Sequence, residues 1–524
     1  MGIDEAKPRH YLVGGGIASL AAAVFLIRDA TVSGERISIF EQLDRFGGSL
    51  DAAGDAIVGY AVRGARMFEE HFTCTFDLLG SIPSLDLPNG SLKDDILAFN
   101  CAVRGQSNCR LVRGGKKADV SSLGLGPRGI LDLCRLLLCS ERSLQDQKIS
   151  SCFQRAFFDT NFWLMWSTMF SFQPWHSATE MRRYLKRFIH LFPGLERIEG
   201  ILRTRYNQQD SLIAPISDWL VQRGVRFKPQ YQVTDVEIVS NGQGRRVSRL
   251  IFADKTPLDI APEDRVYLTL GSITDASTSG SIANVPPRAH FEGGSWRLWR
   301  KLSARYQGFG NPEKFYGDPR ETTWESFTIT LDKPDFFQFM EKFTSNVTGT
   351  GGLVTFADSS WLMSIVMFHQ PHFRDQAENT FVFWGYGLRG DRVGDFVPKP
   401  MWDCTGDEVL TELAGHLSLD GAGRDWFRTA KVVLSRMPYI TSQLMPRRFG
   451  DRPDVRPQGA QNFAVMGQFC ELKRDVVFTV EYSVRSAMAA VHEMTGMGGA
   501  PPSVAPTDRN PIVLLRAARK LLSV

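Results

Sequence analysis

Gly14-Gly15-Gly16 follows the short apolar run His10–Val13 and precedes an Ala/Leu-rich stretch at residues 17–29. Glycines between a strand and a helix N-terminus make an anion site. With no Cβ in the way the backbone approaches a pyrophosphate closely, and the free N–H groups of the first helical turn face its charge. Gly14 is placed to make the tight turn and Gly16 to clear the phosphate. Ser19 stands where Gly or Ala is usual and is still small enough for close helix–sheet packing. The next strand, Ile37–Phe40, ends in Glu41, an acid suited to ribose hydroxyls. Gly47-Gly48-Ser49-Leu50 comes directly after it, and a second glycine turn there favours FAD over NAD. A late strand–Gly–helix pattern at residues 462–492 offers the second contact that two-dinucleotide-binding flavoproteins make with their cofactor.

Other reactive residue types are less ordered. His369 and His372 are spaced like two metal ligands, but no third His or carboxylate lies near them in the sequence, so no metal is expected. Eight cysteines show no CxxC and no metal-like spacing; they read as small buried hydrophobes in a reducing compartment.

The elements needed to hold such a site can be traced along the chain. Strands are expected at 227–236, 249–252, 266–270 (running into Gly271-Ser272) and 462–465, with a closing helix at 479–492. Residues 127–225 are helix-rich, and 280–400 mix strands with aromatic loops such as Phe336-Phe337-Gln338-Phe339. The fold class is α/β: a Rossmann-like FAD-binding domain of the two-dinucleotide-binding type with an inserted substrate domain and a helical lobe. The division expected is 1–126, 226–285 and 437–498 for the FAD-binding domain, 127–225 for the helical lobe and substrate channel, 286–436 for the substrate domain, and 499–524 for a linker and a basic amphipathic helix.

Lys plus Arg number 61 against 57 Asp plus Glu, a net charge of +4, which argues against a nucleic-acid partner. There are 36 Phe against 11 Trp and 11 Tyr, an apolar surplus without polar handles, suited to a core or a greasy pocket. Nine aromatics fall within residues 153–175; most are expected in the core and a minority on an acyl cavity. The first six residues lack a basic signal-peptide start and carry Ala6 where myristoylation needs Ser or Thr, so a cytoplasmic protein is expected. The last helix, with Arg516, Arg519 and Lys520, is a candidate for contact with an anionic membrane surface, and equally for docking on the protein. Monomer and homodimer both stay open.

Several segments together carry a resemblance. Gly14-Gly15-Gly16-Ile17-Ala18-Ser19-Leu20 is followed by Gly47-Gly48-Ser49-Leu50-Asp51, Arg63-Gly64-Ala65-Arg66-Met67 and His71-Phe72-Thr73-Cys74. Further on stand Gln173-Pro174-Trp175-His176-Ser177, Tyr206-Asn207-Gln208, His369-Gln370-Pro371-His372-Phe373, Met437-Pro438-Tyr439 and Phe478-Thr479-Val480-Glu481-Tyr482. In this order, over residues 9–495, the chain resembles the oleate hydratases, also called the myosin-cross-reactive antigen family.

The resemblance implies FAD as a non-redox cofactor and an unsaturated fatty acid as substrate, with water added across its cis double bond (oleate to 10-hydroxystearate). It places the proton donor at Tyr184, where Arg182, Arg183 and Lys186 would favour the phenolate if they face it. Cofactor contacts are expected at Gly14, Gly16, Ser19, Glu41, Gly48, Ser49, Arg66, Met67, Ser272, Phe478 and Thr479. The carboxylate end of the substrate is expected at Gln208 and His372, near Tyr206 and Phe368. Two departures stand out. Met67 occupies the family's water-activating acid position and cannot take a proton, so the water falls to backbone carbonyls or the flavin, with Glu69 and Glu70 expected to aim elsewhere. Val366 and Phe368 replace the polar Thr and Asn of the family's head-group clamp. A lipid oxidoreductase or isomerase, or a fatty-acid-binding flavoprotein without turnover, are the alternatives.

Overall fold

The computed structural model describes residues 7–288 and 292–522; Met1 to Ala6, read above for targeting signals, lie outside them. His10–Val13 is apolar and buried throughout, as a central parallel strand must be. It pairs in parallel with Ile37–Phe40 on one side and Arg265–Thr269 on the other. Phe463–Met466 and Arg226–Lys228 complete a five-stranded parallel sheet. The helix Ile17–Arg28 provides the first crossover and is buried from Ile17 to Leu26, because Val480–Thr495 packs against it. A helix covered in this way has no use for a polar face.

The strand expected at 227–236 is two strands. Arg226–Lys228 belongs to the parallel sheet, and Val233–Ser240 to a three-stranded antiparallel sheet with Arg245–Phe252 and Leu258–Asp259. The break falls at Pro229, which cannot donate to a ladder, and at Gln230, whose φ is +58°.

The second large sheet has eight strands, with Trp324–Leu331, Phe381–Gly387, Met363–Met367 and Leu353–Phe356 adjacent in that order. Trp324–Leu331 shows why it forms a wall. Phe327, Ile329 and Leu331 enter a separate core behind the sheet, while Thr328 and Thr330 on the opposite face bond the hairpin strand Gly59–Val62 through Tyr60 and Val62 N–H. The Phe336–Phe339 stretch, expected in a loop, is the helix Asp335–Thr344; Phe336, Phe337, Met340 and Thr344 are its buried stripe at helical spacing. Only four cysteines fit the buried-hydrophobe reading, Cys74, Cys109, Cys404 and Cys470; Cys101 and Cys134 are exposed and Cys139 and Cys152 partly so.

The C-terminal helix Pro511–Leu522 docks against the segment Ile189–Arg197 through Ala517, with Lys520 Nζ 2.9 Å from Glu196, and exposes Ile512, Leu514, Leu515 and Leu522. Among the described residues no helix is long and apolar enough to cross a membrane.

Candidate active site

The two glycine turns meet at the C-terminal edge of the parallel sheet. Gly14 has φ +98°, Gly47 +127° and Gly48 +59°, conformations that tolerate no ordinary side chain without strain. Gly47 N–H donates to the Gly15 carbonyl at 2.9 Å, and a Cβ on Gly48 would stand 3.3 Å from the Gly16 Cα. The turns therefore run side by side as a bare-backbone cradle at the helix N-terminus. Glu41 braces it: Oε2 accepts from Gly15 N–H at 2.6 Å and Oε1 from Leu43 N–H at 2.9 Å. Burial raises the Glu41 pKa, opposed by those backbone bonds. Ser19 is fully buried, and its hydroxyl, like Thr269 Oγ1 and Gln209 Oε1 beside the glycines, has no hydrogen-bond partner within the protein. A glycine cradle bordered by buried polar atoms short of partners fits a dinucleotide.

Ser49, Arg66, Phe478 and Thr479 continue from this cradle. Arg66 donates to the Ser49 carbonyl at 3.1 Å and lies 5.6 Å from the Phe478 ring centroid. Burial lowers its pKa to about 10. Thr479 caps the helix Val480–Thr495. Ser272 follows the strand Arg265–Thr269, and its carbonyl accepts from Trp296 Nε1 at 3.1 Å.

Beyond Arg66 a cavity opens in two chambers that share Ala65, Arg66, Met67 and Val366 in their walls. Met67 thus stands at the junction. The first chamber is mostly apolar and includes Tyr184, Phe170, Phe188, Phe478, Thr479 and Glu69. Phe170 faces this space while Phe157, Phe162, Trp163 and Trp166 are core, the division expected for the aromatic stretch.

Tyr184 sits on the helix Ala178–Arg187, where Glu180, Arg183, Tyr184 and Arg187 form one buried stripe at i, i+3, i+4, i+7. Every charge on it is matched. Glu180 meets Arg447 at 3.0 Å and Arg452 at 3.1 Å; Arg183 meets Glu141 at 2.8 Å and Glu471 at 2.9 Å; Arg187 meets Glu69 at 2.6 Å. The basic neighbours do not acidify the phenol as expected: Arg182 and Lys186 are turned to Glu141 and Asp508. Burial, with Glu180 and Asp475 adding to it, drives the Tyr184 pKa well up. The ring is held by Phe170, Phe172 and Phe188, and the hydroxyl donates to the Val477 carbonyl at 2.5 Å.

Glu69 corrects a second expectation. Phe68 is bridged to Leu202, and Met67 and Glu69 on either side of it both line the Tyr184 chamber. Glu69 is 1% exposed and lines the Tyr184 chamber, whereas Glu70 is exposed. Burial would raise the Glu69 pKa, but His190, Arg187 and His71 overcome it and hold the carboxyl at about 2. Oε2 accepts from the His71 N–H at 2.9 Å and lies 2.9 Å from His71 Nδ1 and 3.4 Å from His190 Nε2. The three side chains are close enough to share an ion, yet Arg187 already places a cation on the carboxylate.

The second chamber contains Gln208, His372 and Phe368, as expected; Tyr206 is absent from both walls, its ring 4.8 Å from the Arg374 guanidinium. The Phe368 ring stacks on His372 at 3.6 Å, and burial, then His369, lowers the His372 pKa to about 3, so the imidazole is neutral. The reading of the sequence missed Arg203 and Arg205, also in this wall. Arg203 bonds only the Gly349 and Val103 carbonyls, and its Nε has no partner. Among the described residues no carboxylate pairs with it, and burial lowers its pKa to about 10, leaving it cationic at neutral pH. Arg205 lies 3.6 Å from Asp95 and also has an unpartnered Nε. Their place beside the Tyr-Asn-Gln segment was the only available signal.

A model described as the MCRA family matches residues 7–492. An oleate hydratase from Streptococcus pyogenes serotype M49 (strain NZ131) is 41% identical over 520 residues, 95% of this chain and 87% of that protein. A linoleate hydratase from Lactiplantibacillus plantarum is 30% identical over 562 residues, 98% of each chain. Among solved structures, an oxidoreductase from Methanosarcina mazei aligns with a TM-score of 0.49 at 12% identity, over 92% of this chain and 100% of that one.

Proposed function

The chain belongs to the MCRA family, and from that premise we propose that it is a fatty acid hydratase, a hydro-lyase adding water across the cis double bond of an unsaturated fatty acid such as oleate. The observation that carries this reading is the two-chamber cavity. It pairs an apolar chamber walled by a phenol with a second chamber holding a guanidinium that has no carboxylate of its own. A long acyl chain with a carboxylate at one end and an isolated double bond along it matches both halves.

In this reading Arg203, with Arg205, Gln208 and neutral His372, holds the carboxylate, while Val366 and Phe368 contribute only apolar surface. The tail passes Met67 and enters the Tyr184 chamber. There Tyr184, once its hydroxyl swings from the Val477 carbonyl, protonates one alkene carbon and water attacks the other. The phenol is a weak acid in this setting, so the enclosed, water-poor chamber must position the proton closely.

The glycine cradle supports FAD, held by Gly14, Gly16, Ser19, Gly48 and Ser49 with Glu41 bracing the turn, and by Arg66, Met67, Phe478 and Thr479 towards the cavity. When bound, the flavin would supply polar surface and fixed dipoles beside the first chamber, with no net electron transfer. Exposed Ile512, Leu515 and Leu522 next to Arg516 and Arg519 support contact of the last helix with an anionic lipid surface, where fatty acids partition.

The test is oleate with flavin-loaded protein in water carrying heavy hydrogen and heavy oxygen. One solvent deuterium and one solvent oxygen in a hydroxy acid, with no electron acceptor consumed, is the expected product. A product with a new or shifted double bond, or no product from bound oleate, overturns the reading.

A further inference from the structure

A hydratase whose cavity is filled by an acyl chain must still receive water and dispose of that water's proton. Met67 lines the junction and can accept no proton, so an acceptor has to come from another residue of the same wall. Resting on the hydratase reading, we propose that Glu69 is this acceptor: two positions on, just past the bridged Phe68, it brings into the wall of the Tyr184 chamber the carboxylate that residue 67 lacks.

Three observations bear on it. Residues 67 and 69 flank the bridged Phe68, and both line the first chamber. The carboxylate is also unevenly used. Oε2 is engaged by the His71 backbone and ring, with His190 Nε2 3.4 Å away and not aligned for a hydrogen bond, while Oε1 has the Arg187 guanidinium at 2.6 Å as an ion pair without hydrogen-bond alignment. Buried oxygens short of hydrogen bonds are costly unless they serve a ligand or water. Finally, the polar seam leads outward. Arg187 Nε and both ring nitrogens of His190 are buried without hydrogen-bond partners, and Arg187 also lines a separate polar cavity with Arg182, Lys186, Arg474 and Arg509. The Glu69–Arg187 pair therefore stands between the apolar chamber and a polar vestibule, where water and protons can pass while the tail occupies the tunnel.

The step balances. One alkene carbon takes a proton from Tyr184, the water oxygen bonds to the other carbon, and the water's surplus proton moves to the Glu69 carboxylate. Glu69 then releases it through the seam as the Tyr184 phenolate regains one, so the sum is alkene plus water to alcohol with no electrons transferred. An oxonium formed on a carbocation is a far stronger acid than a carboxylic acid, so a carboxylate kept ionised by Arg187 and two histidines is basic enough. Arg187, His71 and His190 are positioning residues in this scheme.

The experiment uses flavin-loaded full-length protein and oleate. Hydroxy acid from the unaltered protein comes first; its absence counts against the hydratase reading itself and not specifically against Glu69. Given turnover, Glu69→Gln should lower kcat by about 10²–10³-fold, within the span usual for removing a general base, with KM and flavin content little changed. Adding Met67→Glu to Glu69→Gln should recover at least about tenfold of that loss, since a carboxylate again faces the chamber. A Glu69→Gln protein that keeps its kcat overturns the proposal. A loss that Met67→Glu does not recover also overturns it, because Glu69 would then matter only as the partner of Arg187.

Discussion

The two chambers of the cavity treat charge in opposite ways. On the Tyr184 helix every buried ion has a counter-ion from the protein: Glu180 with Arg447 and Arg452, Arg183 with Glu141 and Glu471, Arg187 with Glu69. Around His372 the Arg203 guanidinium has only carbonyls. Burying an ion without a partner costs several kcal/mol, so an uncompensated guanidinium is tolerable where a ligand supplies the charge. In the proposed hydratase the paired wall would hold a reacting geometry rigid, and the unpaired one would receive the substrate's carboxylate. Rate should therefore depend on the first chamber and affinity on the second.

Replacing Tyr184 with Phe removes the proposed proton donor from the paired wall without disturbing an ion pair. We expect kcat for oleate to fall by roughly 10³-fold or more, with flavin content unchanged; retained turnover would remove Tyr184 from the chemistry. In the unpaired chamber, Arg203→Met should raise KM for oleate by about 30–100-fold and change that for methyl oleate little, as lost charge-assisted bonds would do. Equal losses for acid and ester would make Arg203 a brace for the Gly349 loop. Phe368→Asn, which returns a polar group beside His372, should lower KM for oleate by about fivefold, the worth of roughly one hydrogen bond. The smallest effect concerns His372 itself. With a pKa of about 3 it is already neutral at pH 6, so no histidine-like limb from it should appear in KM between about pH 6 and 8. A KM that changes tenfold across that range and flattens in His372→Gln would show that the ring is charged when substrate binds.

The sequence shows parts of this contrast better than others. The adjoining turns at Gly14–Gly16 and Gly47–Gly48 were legible because missing side chains at fixed spacing are visible in a sequence, whereas Glu41, expected at ribose hydroxyls, takes backbone bonds from Gly15 and Leu43. The strands beside them were found within about a residue for the same reason, since short apolar runs ending in glycine leave few choices. Arg182, Arg183 and Lys186 misled: their spacing says they surround Tyr184, but their partners Glu141 and Asp508 lie on other segments. Helical steps aim Glu69 away from the site, but no helix runs through residues 67–70. Arg203 looked like any other arginine, because its lack of a carboxylate is a property of the packed wall.

By itself the sequence determined the parallel sheet, the glycine cradle at its edge and membership of a family of fatty acid hydratases, all of which rest on local spacing or on many motifs in order. Only the tertiary structure decided which charges are spent and which are left over. Pairing depends on distances across the fold, such as Glu69 to Arg187 and, among the described residues, Arg203 to no carboxylate, and an ion's chemistry is set by that pairing.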